Sequence, residues 1–145
     1  MKLRLSIRIA EPRSAALAAA LELRREVFVV EQGVPRELER DELDALAVHV
    51  VAEQDAELVA TLRIVSLGAR AKIGRVAVRR SARAQGLGRE LMIWAIDWVR
   101  RAGFGAVQVD SQLVVAGFYQ RLGFVAEGPV FAEAGIAHQR MCRTL

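Results

Sequence analysis

The chain has 145 residues, 53% hydrophobic and 26% charged, with a formal net charge of +4. That length fits one domain over residues 1–145 with a core covering roughly two-thirds of its unfolded surface, and the composition is that of an ordinary soluble globular protein. No apolar run approaches the ~20 residues of a bilayer span. The single cysteine, Cys142, excludes an internal disulfide.

The N-terminal stretch alternates Leu3, Leu5, Ile7 and Ile9 with Lys2, Arg4, Ser6 and Arg8. This reads as a half-buried strand, not the continuous apolar run of a signal peptide, so a cytoplasmic location is the default expectation. After Glu11-Pro12, Ser14 is placed to cap a helix reaching about Val30, because Ala15–Ala20 and the following Leu, Glu and Arg residues favour helix. Gly33 and Pro35 end it, and residues 37–44 form a polar connection with room for one helical turn. Ala47–Glu53 and Glu57–Leu67 read as an antiparallel hairpin turning at Gln54-Asp55-Ala56. Lys72–Val78 is a further strand. A helix follows from Gly86 to about Ala102, with Gly103 as its C-terminal cap. Ala106–Val109 is a short buried strand and Val114–Leu122 a helix closed by Gly123. Phe124–Glu127 and Ala137–Arg143 are the last strands, joined by a loop carrying Gly128-Pro129 and Gly135. This mixed order argues for an α+β (mixed α/β) fold, a twisted mixed central sheet with helices on both faces.

Residues 73–92 carry the clearest chemical signal. An apolar strand runs through an arginine-rich bend into Gly86-Leu87-Gly88 and a helix start. Unpaired N–H groups and the positive end of the helix dipole attract anions there, and glycine lets a ligand approach the backbone. Taken alone, the stretch also allows an ordinary glycine-containing helix start. Arginine is concentrated at 79–89 and acid at 37–44, and Lys72 is the only lysine beyond Lys2. A nucleic-acid binder would show an extended basic face with lysines and aromatics. Two opposite clusters instead suit an enzyme with an anionic cofactor and a cationic co-substrate. No metal-ligand cluster stands out, and neither nucleic acid nor a membrane is an expected partner.

Arg83-Ala84-Gln85-Gly86-Leu87-Gly88 resembles the pyrophosphate loop of the GNAT family, the Gcn5-related N-acetyltransferases. Gly117-Phe118-Tyr119-Gln120-Arg121-Leu122-Gly123-Phe124 resembles the second motif of that family, and one helix and one strand separate the two. Leu23–Gly33, Glu39-x-Asp41-Glu42-Leu43-Asp44, Ala47-x-His49 and Phe131-x-Glu133-x-Gly135-Ile136-x-His138 are similar to the ElaA-like branch. The first of these blocks also resembles acyl-homoserine-lactone synthases, which are longer and lack so plain a loop.

The resemblance implies a GNAT fold and acetyl-CoA as the acetyl donor to the primary amine of a small-molecule or peptide acceptor, attacked directly. Homodimers are common in the family. It implies that Val76, Ala77 and Val78 offer backbone groups to the pantetheine arm, and that Ala84, Gln85, Gly86, Leu87, Gly88 and Arg89, with Arg83, cradle the pyrophosphate. It further implies that Val76–Val78 splays from the strand at 106–109, and that Tyr119 protonates the leaving thiolate. The residues alone also allow Tyr119 to be a packing side chain. The base that deprotonates the amine is open among Glu31, Asp41, Glu42, Asp44, His49 and Glu133, since Lys72-Ile73-Gly74-Arg75 holds no acid. His49 on a central strand could relay a proton or be structural. Asp41, Glu42 and Asp44 read either as a solvated loop or as an acidic rim for a cationic acceptor, with Arg25 and Arg63 as their expected arginine partners. The alternatives are an acyl-homoserine-lactone-type acyltransferase and a non-catalytic CoA-binding module.

Overall fold

The alternating N-terminal run forms β1 (Leu5–Ile9) in a computed structural model that describes residues 5–145. Lys2, Leu3 and Arg4 of the expected strand lie outside the described residues. β1 pairs with β2 (Val48–Gln54), β2 with β3 (Glu57–Leu67) and β3 with β4 (Arg70–Val78), all antiparallel. Asp55 and Ala56, at φ 51° and 64°, make the tight β2–β3 turn, the left-handed geometry that matches hairpin twist. β5 (Ala106–Gln112) runs parallel to β4. β7 (Ile136–Thr144) then pairs antiparallel with both β5 and β6 (Val125–Glu133). Among the described residues the sheet has seven strands in the order β1-β2-β3-β4-β5-β7-β6.

Helices cover both faces. Val50 and Ala52 of β2 join a core with α3 (Leu87–Arg101), whose buried stripe is Leu87, Leu91, Met92, Ala95, Ile96 and Val99. Val51 points the other way, into a second cluster with Ala20 and Leu23 of α1 (Ala15–Arg24). Burial on both faces explains why β2 and β3 read as nearly unbroken apolar runs. The Ser14 cap forms as expected, its Oγ accepting from the Leu17 N–H at 3.1 Å.

The helix expected to reach about Val30 does so, but from Arg25 to Glu31 it widens into a π-helix. The run Val27-Phe28-Val29-Val30 holds α-helical geometry weakly because β-branched and aromatic side chains lose χ1 freedom there. The expected loop at Gly128-Pro129 is part of one long β6–β7 hairpin. A register shift between Ala126 and Val130 absorbs Gly128 (φ 76°). Pro129 is tolerated because β6 is a sheet edge, where no ladder bond is lost. A short α2 (Arg36–Glu39) and a 3₁₀ turn (Glu42–Ala45) fill the polar connection.

The feature that positions the site is a bulge in β4. Between the Thr61–Ala77 and Arg63–Gly74 pairs, β4 has one residue more than β3, and Arg75 is left-handed at φ 53°. β4 pairs with β5 only from Arg70–Ala106 to Ile73–Val109. Beyond that point β5 stays with β7 as far as the Gln112–His138 pair. Two neighbouring parallel strands therefore diverge, and their facing backbone edges are left open.

Candidate active site

The open edge of β4 at Gly74–Val78 leads directly to the arginine-rich bend. Ala84 (φ 64°) and Gly86 (φ 77°) are left-handed on either side of Gln85, and residues 83–86 are exposed. Such alternation turns successive N–H groups toward one concavity. The Glu90 N–H is the first of α3 to bond back, to the Gly86 carbonyl at 3.1 Å, so the N–H groups of Leu87, Gly88 and Arg89 have no partner within the helix. A Cβ built on Gly86 would meet nothing, while one on Gly88 would touch the Phe118 ring at 3.7 Å and Val78 at 3.8 Å. The first glycine leaves room for a ligand; the second lets α3 lie close to the sheet and to α4 (Ala116–Arg121). Arg83 is held by Glu31, with both Nη–Oε distances 2.8 Å, and its Nε donates to the Val78 carbonyl at 3.0 Å.

Where β4 and β5 part there is a cleft of about 400 Å³. Tyr119 of α4 forms one wall, packed against Phe118 at 5.0 Å and edge-on to Phe124 at 5.8 Å. It is 8% exposed, and burial pushes its hydroxyl up to about 12. The proton is therefore held throughout the physiological range. Phe28 and Gln32 also line the cleft, and Gln32 accepts a hydrogen bond from Gln112 at 2.8 Å, linking the first helical segment to the end of β5.

The roof is a charge network. Arg24, 1% exposed, donates through Nε to Glu39 at 3.0 Å and through Nη1 to Asp44 at 2.7 Å. Arg63 reaches Asp41 at 2.6 Å and Asp44 at 2.9 Å. Arg75, turned by the bulge, donates to the Glu39 and Leu38 carbonyls at 3.0 and 3.2 Å and to Asp41 at 3.2 Å. Burial alone would raise the Asp44 carboxyl, but its bonds to Arg24 and Arg63 outweigh that and draw it down to about 2. Asp41 is also lowered, chiefly by its hydrogen bond to Arg63.

Of the residues singled out from sequence, Val76, Tyr119, Asp41 and Glu133 line the cleft. Ala77 and Val78 continue the open edge beside Val76. Asp44 sits behind the wall, 16% exposed, and Glu42 is exposed. Asp41 and Asp44 are matched by arginines, so little acidic field reaches the rim. Arg63 fills its expected role. Arg25 does not: it is a surface residue paired with Glu22 at 2.6 Å, and Arg24 is the buried partner of the acids. His49 is 5% exposed, with Nε2 2.9 Å from the Asp44 carbonyl, outside the cleft lining. Glu31 is occupied by Arg83.

Sequence reasoning passed over Arg24, Arg75 and His138 as site residues. Arg24 was legible in the helical period, four residues after Ala20 and three before Val27 on the buried face. Arg75 was not, because a bulge alters which way a side chain points without changing the apolar pattern. His138 lines the cleft, 8% exposed and stacked on Phe131 at 5.7 Å. Its Nδ1 lies 2.7 Å from the Ile136 carbonyl and its Nε2 3.7 Å from Glu133. Its signal was the alternation of the last strand, which puts Ile136 and His138 on one face.

A family model described as an acetyltransferase (GNAT) domain matches residues 11–145. Protein ElaA of Escherichia coli K12 is 33% identical over 136 residues, covering 88% of this chain and 86% of that protein. Its crystal structure superposes with a TM-score of 0.84 over 98% and 99% of the two chains, at 29% identity. An acyl-CoA N-acyltransferase of Pseudomonas aeruginosa superposes at 0.86 over 98% and 99%, at 36% identity. A Bacillus subtilis acetyltransferase solved in complex with CoA superposes at 0.75 over 98% and 99%; at 19% identity that likeness is one of fold.

Proposed function

Because the chain belongs to the GNAT acetyltransferase family, we propose that this acyltransferase moves an acetyl group from acetyl-CoA to a primary amine by direct attack. The observation that carries this reading is that the open edge of β4 lines a cleft together with Tyr119 and runs on through Ala77 and Val78 to the 84–89 loop and its N–H groups.

The residues fit CoA. The loop N–H groups and the α3 N-terminus suit a pyrophosphate, with Arg83 and Arg89 adding positive charge. The edge of β4 at Val76–Val78 that faces away from β3 suits the amides of an extended pantetheine arm, as a strand would pair at an open edge, although the Val78 carbonyl already accepts from Arg83. Bound CoA would supply an activated acetyl carbonyl as a thioester. Tyr119 would hydrogen-bond the sulfur as negative charge develops there and give it a proton. Direct attack is supported by the fate of the side chains that could instead carry an acyl group. Cys142 does not line the cleft, and the Ser111 hydroxyl is engaged with the Gln112 carbonyl at 2.8 Å.

The acceptor is a small-molecule or peptide amine entering between Phe28, Gln32 and β5. Glu133, the cleft carboxylate without an arginine partner among the described residues, is 48% exposed and suits a cationic ammonium.

The test is thiol release from acetyl-CoA across alkylamines, polyamines, aminoglycosides, amino acids and peptides. Wild type should turn over at least one class, and Tyr119→Phe should lower kcat by about 100-fold with CoA affinity unchanged. Equal rates for Tyr119→Phe would remove the tyrosine from the chemistry. No turnover with any amine would favour a non-catalytic CoA-binding module.

A further inference from the structure

We propose that His138 is the general base that takes the acceptor's ammonium proton, and that Glu133 is the positioning residue that steadies the imidazolium. The assignment rests on the acyl-transfer reading above and adds the missing base to it.

The backbone fixes the tautomer of His138. The Ile136 carbonyl can only accept, so at 2.7 Å the Nδ1 of His138 carries the hydrogen. In the neutral ring Nε2 is then the bare nitrogen. Nε2 lies 3.7 Å from a Glu133 carboxylate oxygen, too far for a hydrogen bond and near enough for an ion pair once the ring is charged. An ammonium between the two could donate to both. Stacking on Phe131 at 5.7 Å and 25° fixes the ring plane. The pairing of His138 with Gln112 puts the ring at the stretch of β5 that has left β4, on the cleft that also holds Tyr119.

His49 has the opposite arrangement. Its Nε2 faces the Asp44 carbonyl at 2.9 Å, so Nε2 carries its hydrogen. The chain has only these two histidines. One is set to donate to the backbone beneath the roof, and the other presents a bare nitrogen toward the cleft.

The charged groups around His138 are few. β6 contributes Glu133. β5 contributes uncharged Gln112 and, further along, Asp110, which is engaged by Lys72 at 2.9 Å and Arg140 at 3.1 Å. Arg140 is also the nearest charged residue on β7 itself. The turn at Leu113–Val115 is apolar. Among the described residues, Glu133 is the carboxylate within ion-pair reach of the ring.

The protons balance. One ammonium proton passes to Nε2 of His138 and from there to solvent. The nitrogen bonds to the acetyl carbon as the C–S bond breaks. The Tyr119 hydroxyl proton goes to sulfur, and the second amine proton restores the hydroxyl.

Two measurements test this. Long-range 1H–15N spectra of the labelled protein, assigned with His49→Gln and His138→Gln, should give the Nδ1–H tautomer for neutral His138 and the Nε2–H tautomer for His49. An Nε2–H tautomer at His138 would overturn the proposal. In turnover with the best amine of a panel of n-alkylamines, spermidine and lysine, His138→Gln should lower kcat/KM by about 100-fold and erase the acidic limb of its pH profile. CoA affinity and circular dichroism should be unchanged. Glu133→Gln should keep the limb and lower kcat/KM by less than His138→Gln does, with Glu133→Asp restoring part of the loss. Wild-type rates in His138→Gln overturn the base; wild-type rates in Glu133→Gln overturn the role of Glu133. Failure of wild type to acetylate any amine instead removes the acyl-transfer reading, and the base assignment with it.

Discussion

Arg24 and Arg25 are adjacent and chemically identical, yet the fold gives them opposite importance. Arg24 is 1% exposed and holds Glu39 and Asp44. Arg25 pairs with Glu22 on the surface, within one turn. Removing one partner of a buried pair leaves an uncompensated charge, so Arg24→Met should destabilise the fold by about 3–5 kcal/mol. Arg25→Ala should change it by about 0.5 kcal/mol or less. Urea midpoints of the two variants check the contrast. Asp44 gives a pH prediction. Its carboxyl sits at about 2 in the fold and at ~3.9 when unfolded. A depressed carboxyl stabilises above the unfolded value and loses that contribution as pH falls through the folded one. Stability should therefore decline between pH ~4 and ~2, with about 2 kcal/mol assigned to this group; Asp44→Asn should flatten the dependence of Tm on pH across that window. Tyr119 is the only tyrosine, so phenolate absorbance near 295 nm reports it alone. With the hydroxyl at about 12, little phenolate should form in the native protein at pH 10, where an exposed tyrosine would be half ionised.

At the scale of elements, periodicity was sufficient where a segment obeys one rule throughout. The β2–β3 hairpin and α3 were legible because both sheet faces are buried and the α3 stripe keeps helical spacing. Legibility failed where one residue is out of step. The π-turns at Arg25–Glu31 and the bulge at Arg75 leave the apolar pattern nearly unchanged, yet they decide what faces the cleft. The β6–β7 hairpin was hidden by Gly128-Pro129, which normally signals a loop and here sits in a register shift at an edge. The 84–88 loop makes the element-scale prediction. Gly86→Glu imposes a side chain at φ 77° and a negative charge at the proposed pyrophosphate loop. It should lower stability by roughly 1–2 kcal/mol and abolish CoA binding in calorimetry, while circular dichroism stays native. Wild-type affinity would move the pyrophosphate elsewhere.

At the scale of the molecule, one parallel pair in an otherwise antiparallel sheet organises everything else. The parallel step requires a crossover, and α3 supplies it. Its N-terminus then lies beside the place where the two parallel strands separate, with α4 and Tyr119 beyond. The strand–glycine–helix signal, the mixed topology and the tyrosine motif were therefore legible together, as parts of one device. The acceptor side was less so, because the acids at 37–44 are answered by arginines distant in sequence, Arg24, Arg63 and Arg75. CoA is proposed to lie along the open edge of β4 with its pyrophosphate on the 84–89 loop. Titrating CoA into 15N-labelled protein and mapping the amide shifts tests it most directly. The largest perturbations should fall at Gly74–Val78 and Ala84–Arg89; saturable binding that shifts other residues and leaves these unmoved would contradict it.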